Sequence, residues 1–322
     1  MRIHLMSPPS RFFCAAGDEE GNENAARAKK RGGTSPRGAL QEFIMVADTQ
    51  EKYGTQVVII PPGGREVSDL PFTNDLGWWV PGRGFFLSNP AAKHRRQEPV
   101  YAGPILKDEL KLPVIGQAMS LFEGASQVTV FSQRWAIVGY GVRGDKASCK
   151  EIEDISGMEV LGLMSQKPFI HSDTYLKLLL SQIPVLVFCP SALAKADASG
   201  WDPKAARKKV GEICVEVGVE LVDISKEDGR CYATNLTEEN GRLFSPQGLS
   251  FAVRKRLRRF GYAFHTYPLP CFYGDCGGAG SCLRNNITGA LALGWRPPEK
   301  YLYKNWRDKL VRWLNDYPIH EI

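Results

Sequence analysis

The chain has 322 residues, of which 43% are hydrophobic, so it is long enough to bury a sizeable core. Lysine and arginine outnumber aspartate and glutamate only by 41 to 35, which predicts no nucleic-acid partner. No apolar run approaches the roughly 20 residues of a membrane span, and the N-terminus lacks the apolar core of a secretory signal, which predicts a cytoplasmic protein without a membrane partner.

The predicted elements begin with a short strand at 3–6 and a polar loop at 17–38, which has no apolar periodicity. An amphipathic helix at 38–53 and a strand at 56–60 follow. Further on, helices and apolar runs alternate with Gly or Pro breakers. The predicted strands are 76–80, 84–87, 128–131, 136–138, 185–188, 219–222 and 263–267, and the helices include 174–181, 205–217 and 249–260. This repetition predicts similar α/β units in one architecture.

The end of the chain predicts a helix within 299–315, because Trp306, Leu310 and Trp313 lie at helical spacing. Packing of this helix on the body is favoured over docking of a partner. The basic run 254–259 falls on the predicted helix 249–260. A solvated helix face is favoured there over a phosphate-binding patch.

The eight cysteines form no paired Cys-x-x-Cys units, which disfavours a disulfide scaffold. Cys271, Cys276 and Cys282 with His265 could be a zinc cluster, but their spacings do not match the usual short knuckle. Cys282 instead follows a glycine-rich turn, whose backbone N–H groups can face a thiolate and a developing oxyanion. Cys282 is therefore a candidate nucleophile, with a buried structural cysteine as the alternative.

A candidate base and four candidate carboxylates lie upstream of Cys282. His171 could act as an acid and base that a carboxylate such as Glu123 orients, or it could be a core histidine. Asp173 could add a negative charge beside His171 or cap the predicted helix that follows. Asp69 and Asp75 could hold a planar guanidinium, and turn formation is their alternative role.

Nine short stretches, in their order along the chain, resemble the pentein superfamily. The resemblance is to the branch of dimethylarginine dimethylaminohydrolases, arginine deiminases and amidinotransferases. The resemblance spans roughly residues 3 to 285. The stretches are Met6-Ser-Pro-Pro, Ala39-Leu-Gln, Asp69-Leu-Pro-Phe-Thr-Asn-Asp-Leu-Gly, Leu87-Ser-Asn-Pro with Arg95-Arg-Gln-Glu, Phe122-Glu-Gly, Gly139-Tyr-Gly-Val-Arg, His171-Ser-Asp-Thr, Ala233-Thr-Asn and Gly277-Gly-Ala-Gly-Ser-Cys-Leu.

The resemblance implies an α/β fold, a five-bladed α/β propeller of repeated ββαβ-type units. It implies a single catalytic domain at 1–290, which includes the polar loop 17–38, and a helical C-terminal extension at 291–322. It also implies a catalytic triad in which Cys282 attacks the guanidinium carbon, His171 protonates the departing amine and then activates water, and Glu123 holds substrate nitrogens or orients the base.

For the substrate, the resemblance implies that two carboxylates clamp the guanidinium and that arginine takes the carboxylate at the other end. The residues concerned are Asp75 and Asp173 for the clamp, Arg143 with Arg96 for the carboxylate, and Asp69 and Phe72 as further substrate-binding residues. The predicted partner is a small guanidino compound. No cofactor and no metal are expected, because the nucleophile and the base suffice.

Two departures from the family pattern bear on the reaction. The chain has Glu123-Gly-Ala-Ser-Gln where these relatives carry a carboxylate after the glycines. Asp75 stands where relatives resembling arginine dihydrolases tend to have Asn, which favours release of a ureido product such as citrulline with ammonia or an alkylamine. An amidinotransferase and a non-catalytic pentein-fold binding protein are the alternative functions.

Overall fold

The computed structural model describes residues 1–9, 23–30, 33–194, 202–245 and 249–317. Contacts divide the chain into two compact units. The first unit comprises residues 1–119, 123–125 and 269–322, and the second unit comprises 120–122 and 126–268. No helix in the described ranges combines the length and apolar character that crossing a membrane requires.

Short strands and helices alternate along the described residues. The strands are β1 Arg2–Met6, β2 Thr55–Ile59, β3 Gly77–Val80, β4 Gly84–Leu87, β5 Val114–Gln117, β6 Val128–Val130, β7 Trp135–Tyr140, β8 Glu159–Met164, β9 Leu176–Leu179, β10 Val185–Phe188, β11 Glu220–Asp223, β12 Thr237–Glu239, β13 Arg242–Ser245, β14 Ala263–Thr266 and β15 Asn285–Asn286. The helices are α1 Glu23–Lys30, α2 Pro36–Lys52, α3 Gln97–Pro104, α4 Ala147–Ser156, α5 Pro203–Glu216, α6 Lys226–Arg230, α7 Phe251–Arg258 and α8 Tyr303–Asp316.

The strands form three-stranded sheets with one repeated pattern. The first unit holds β15-β1-β2 and β3-β4-β5, and the second holds β6-β7-β8, β9-β10-β11 and β12-β13-β14. In each sheet the central strand is antiparallel to one neighbour and parallel to the other. A helical segment connects each parallel pair, as parallel pairing requires. These five sheets match the predicted repetition of ββαβ units.

One sheet of the first unit joins the two ends of the chain. Strand β15 pairs antiparallel with β1, in the register His4 with Asn286 and Leu5 with Asn285. Cys282 lies three residues before β15, so this pairing fixes where the loop that carries Cys282 ends.

Each unit has its own apolar core. In the first unit, α2 begins at the cap Ser35, whose side chain accepts a hydrogen bond from Gly38 N, and buries Leu40, Phe43 and Ala47. In the second unit, every residue of β10 is buried, as is typical of a strand covered on both faces. The apolar runs read from the sequence therefore form the cores.

Two predicted elements are wrong. Within 17–38, Glu23–Lys30 is helical, while 17–22 and 31–32 lie outside the described residues. The predicted helix 174–181 is strand β9, because Leu176–Leu179 pairs with β10. The predicted C-terminal helix is present as α8, which begins at Tyr303. The single domain at 1–290 with its extension at 291–322 stays a prediction.

Candidate active site

In the first unit, Cys282 lies on a buried loop close to β15. Within the described residues Cys282 forms no disulfide, and it is 6% exposed. The loop follows a π-helical turn at Pro270–Asp275 and passes through Gly277, whose φ of 70° suits glycine. The backbone N–H of Cys282 donates to Ala279 O at 2.9 Å. Cys282 is therefore held in a tight turn.

The loop 69–77 is bound to the loop of Cys282 by backbone hydrogen bonds. Asn74 N donates to Cys282 O at 3.1 Å. The side chain of Asn285, which follows Cys282, donates to Thr73 O at 3.0 Å and to Gly77 O at 2.7 Å. The candidate nucleophile and the carboxylate loop of Asp75 thus share one hydrogen-bonded framework.

The aromatic ring of Phe72 packs on the glycines before Cys282. A Cβ added to Gly278 would lie 2.4 Å from Phe72 Cε1, so only glycine fits beneath this ring. Phe72 also meets Phe272 edge to face, with ring centroids 5.8 Å apart. Phe72, predicted to bind substrate, is thereby a support of the Cys282 loop.

A carboxylate on α2 anchors the π-helical turn that leads to Cys282. Glu42 accepts hydrogen bonds from Cys271 N at 2.7 Å and Phe272 N at 3.0 Å. Burial raises the pKa of Glu42, and the two backbone donors oppose this rise. No local pattern indicates this role of Glu42, because Glu42 lies 229 residues from Cys271.

Asp75 lies against a buried guanidinium that sequence reasoning missed. The Asp75 carboxylate accepts a hydrogen bond from Arg95, which also pairs with Glu98 through Nε at 2.9 Å and a terminal nitrogen at 2.6 Å. Burial alone would lower the pKa of Arg95, but Glu98, Asp75 and Glu123 hold it well above its ordinary value. The i, i+3 spacing of Arg95 and Glu98 was the available signal.

Glu123 is fully buried, and its carboxylate accepts a hydrogen bond from Ala92 N at 3.1 Å. The next residue, Gly124, has φ of 65°, and a Cβ there would lie 2.6 Å from Asn74 O and 2.7 Å from Gly77 N. The backbone at Gly124 therefore lies close to the backbone of the loop 69–77, which holds Glu123 beside the loop of Asp75. In the first unit, Cys282, Asp75 and Glu123 belong to one assembly.

Asp69 and Arg96 flank this buried cluster. Asp69 is buried, its Oδ2 lies 3.0 Å from His94 Nε2, and its carbonyl oxygen accepts a hydrogen bond from Arg95 at 3.3 Å. Arg96 is exposed, whereas its neighbour Arg95 is buried against Asp75. The guanidinium beside the candidate carboxylate is therefore that of Arg95.

In the second unit, His171 is buried and precedes a short 3-10 turn at Ser172–Thr174. Its backbone is extended, but it belongs to no strand, contrary to the predicted strand context. Thr174 Oγ1 donates to His171 O at 2.6 Å, and Ser172 Oγ donates to Ser126 O at 2.8 Å. These bonds fix the turn that carries the imidazole.

Asp173 lies in the same turn and pairs with an asparagine distant in sequence. Asn235 Nδ2 donates to Asp173 Oδ2 at 3.1 Å, and both residues are buried. Since no helix follows, Asp173 is not a helix cap, which was its alternative role. Asn235 was visible only as part of the motif Ala233-Thr-Asn.

Arg143 is buried at the tip of a glycine turn in the second unit. Gly141 N donates to Gly144 O at 2.9 Å and closes this turn. Gln127 Nε2 donates to Arg143 O at 2.9 Å. Gln127, the residue at which the chain departs from the family pattern, therefore contacts the backbone of a predicted substrate-binding residue.

Comparison with known proteins identifies the family. Residues 8–243 match the family model "N,N dimethylarginine dimethylhydrolase, eukaryotic", which is well over half of the chain. The match ends before Cys282, so the assignment of the nucleophile depends on the loop described above. No curated protein matches the chain.

Solved structures establish the fold. The chain is similar to the N-terminal domain of ArgZ, an arginine dihydrolase of cyanobacteria, with 23% identity over 89% of this chain and 98% of that one, at a TM-score of 0.73. It is similar to AgrE, with 22% identity over 92% and 41%, at 0.74. It is also similar to a dimethylarginine dimethylaminohydrolase, with 16% identity over 89% and 99%, at 0.62.

These likenesses and the five ββαβ sheets confirm the predicted fold class, the α/β pentein fold of repeated ββαβ-type units. The buried thiol and carboxylates are the groups that hydrolysis of a cationic guanidino group requires. The chain belongs to the N,N-dimethylarginine dimethylhydrolase family and is a hydrolase of guanidino groups.

Proposed function

We propose that the protein hydrolyses the guanidino group of arginine or of an N-substituted arginine through a covalent intermediate on Cys282. The products are a ureido compound such as citrulline and ammonia or an alkylamine. The observation that carries this proposal is the hydrogen bond from Asn74 N to Cys282 O at 3.1 Å, which couples the loop of a buried cysteine to the loop of Asp75. Family membership supports the hydrolytic reaction.

In the first half of the proposed reaction, the Cys282 thiolate attacks the central guanidinium carbon and forms a C–S bond. His171 gives its proton to the departing nitrogen, the C–N bond breaks, and an amine leaves. The product of this half is a thiouronium group on Cys282. Asp75 and Glu123 hold the positive charge of the substrate in place.

In the second half, His171 takes a proton from water, which attacks the same carbon and forms a C–O bond. The C–S bond then breaks, the thiolate returns, the remaining proton of the attacking water passes to solvent, and the neutral ureido product leaves. Water is the only co-reactant, so no oxidant or reductant is needed. Removal of His171 should therefore permit at most the covalent adduct.

The remaining candidates fall into two groups in this proposal. Asp75, with Asp173 held by Asn235, clamps the guanidinium, and Arg143 takes the carboxylate. Arg96, which is exposed, stays a predicted partner of the substrate carboxylate, and Arg95 orders the carboxylates of the first unit because it contacts Asp75. Asp69 and Phe72 stay predicted substrate-binding residues, and in the first unit Asp69 contacts His94 while Phe72 packs on Gly278.

An amidinotransferase remains the second candidate, since it would use the same thiouronium and differ only in its acceptor. The test is product identification by mass spectrometry after incubation with arginine and with methylated arginines, with and without glycine as an amine acceptor. Wild type is compared with Cys282→Ala, and the exposed Cys231→Ala is the matched control.

A ureido product that requires Cys282 and ignores glycine supports the hydrolase. A new guanidino compound that forms only with glycine supports the transferase instead. Turnover by Cys282→Ala at the wild-type rate would overturn the covalent mechanism. Binding of guanidino compounds without any product or adduct would favour the non-catalytic alternative.

A further inference from the structure

Gln127 has a buried side chain whose amide points at the backbone of Arg143. The residue is 1% exposed and ends the 3-10 turn Gly124–Gln127, next to β6. Its Nε2 donates to Arg143 O at 2.9 Å. Buried hydrogen bonds of this length hold both partners in place, because leaving either polar group unpaired is costly.

The turn that carries Arg143 is shaped to receive this side chain. Gly141 has φ of 119°, a conformation that favours glycine, and Gly141 N donates to Gly144 O. A Cβ added to Gly144 would lie 2.6 Å from Gln127 Nε2. The glycine at 144 therefore leaves the space that the Gln127 amide occupies.

The chemistry of residue 127 decides whether this contact is possible. An amide nitrogen can donate to a carbonyl oxygen, whereas an ionised carboxylate has only acceptors. A carboxylate of the same size would place two oxygens about 3 Å apart and repel the turn. The amide is thus suited to this carbonyl, and a carboxylate would fit it only when protonated.

We propose that Gln127 is a positioning residue that fixes Arg143 toward the carboxylate end of the substrate and so sets the preference for guanidino substrates that carry a carboxylate. The inference rests on the proposed function, in which Arg143 binds that carboxylate. Its action is indirect, since Gln127 holds the main chain of Arg143 and not the substrate.

The inference separates two ends of the substrate. Loosening the Arg143 turn weakens recognition of the carboxylate, while the reacting guanidino end is held by other residues. Arginine and agmatine, which is arginine without the carboxylate, differ only at the carboxylate end. The ratio of kcat/KM for arginine to kcat/KM for agmatine therefore reports on Arg143 and its support.

The experiment measures this ratio for wild type, Arg143→Ala, Gln127→Met and Gln127→Glu. We expect Gln127→Met to lower the ratio about 10- to 100-fold, as loss of one buried hydrogen bond implies. Arg143→Ala should lower it at least as far. The control is Gln117→Met, which removes an amide-to-carbonyl bond to Ser88 O at 3.1 Å from an exposed residue and should keep the wild-type ratio.

The pH dependence of Gln127→Glu distinguishes positioning from general damage. At about pH 8 its ratio should match that of Gln127→Met, because the introduced carboxylate cannot donate. As the pH is lowered toward about 6, protonation of this buried carboxyl restores a donor. The ratio relative to wild type should then recover for Gln127→Glu and stay low for Gln127→Met.

Thermal unfolding and circular dichroism establish that each variant is folded. A wild-type ratio in both Gln127 variants, together with a low ratio in Arg143→Ala, would overturn the inference and leave the proposed function standing. An unchanged ratio in Arg143→Ala would overturn the role of Arg143 and the inference with it. Absence of turnover of arginine, methylated arginines and agmatine by wild type would overturn the proposed function itself.

Discussion

The backbone N–H of Asn74 donates a hydrogen bond to the carbonyl oxygen of Cys282 at 3.1 Å, although 208 residues separate them. This bond couples the loop of Asp75 to the loop of the candidate nucleophile. The fit of Phe72 on Gly278 reinforces it. Because both contacts lie within one unit, their removal should disturb the thiol and the carboxylate together.

Gly278→Ala should displace the Cys282 loop, because the new methyl group would lie 2.4 Å from the ring of Phe72. We expect a loss of stability of about 1–3 kcal/mol from overpacking and a fall in kcat of about tenfold or more. Urea unfolding and steady-state kinetics measure the two effects. Gly274→Ala is the matched control, since its Cβ would meet nothing within 4 Å. Equal behaviour of the two variants would contradict the packing argument.

Arg95→Ala should be strongly destabilising, because it leaves the buried carboxylates of Asp75 and Glu98 without their guanidinium partner. Breaking a buried ion pair in this way costs about 3–5 kcal/mol. Arg96→Ala, at the exposed neighbouring position, should change the free energy of unfolding by less than about 0.5 kcal/mol. Chemical denaturation of both variants tests this, and a larger effect at Arg96 would reverse the assignment.

Asn235→Asp should impair turnover through Asp173. The substitution places a second carboxylate about 3 Å from the Asp173 carboxylate, in place of the amide that now donates at 3.1 Å. We expect kcat/KM to fall about 10- to 100-fold in Asn235→Asp. Asn235→Gln keeps an amide that can donate to Asp173, so its kcat/KM should fall less. Asn240→Asp makes the same change at an exposed turn and is the control. Wild-type kinetics in Asn235→Asp would refute the pairing.

Glu42 should give the protein a measurable pH dependence of stability. Burial raises the pKa of Glu42 above its ordinary value of 4.5, so the folded state binds this proton more tightly than the unfolded chain. The stability from this group is present below pH 4.5 and is lost as the pH rises through the raised pKa. Glu42→Gln should remove that decline. Urea unfolding from about pH 4 to 7 tests this, and parallel curves for wild type and variant would exclude it.

The sequence by itself determined the elements whose signal is local. The apolar runs of β2, β10 and β11, the strands β3 and β4 and the amphipathic helix α2 follow from short-range patterns of apolar and turn residues. The motif around Cys282 and the family resemblance also lie in short stretches. Such patterns depend only on residues that are close in sequence, so they can be recognised without the tertiary structure.

Tertiary structure alone decided which of several equivalent residues are used. Leu176–Leu179 could form a helix or a strand, and pairing with β10 made it β9. Arg95 and Arg96 are the same amino acid side by side, and only the turn before α3 buries the first. The contacts of Asn235, Gln127 and Glu42 join residues far apart along the chain. Such contacts depend on how separate elements pack, which no local pattern records.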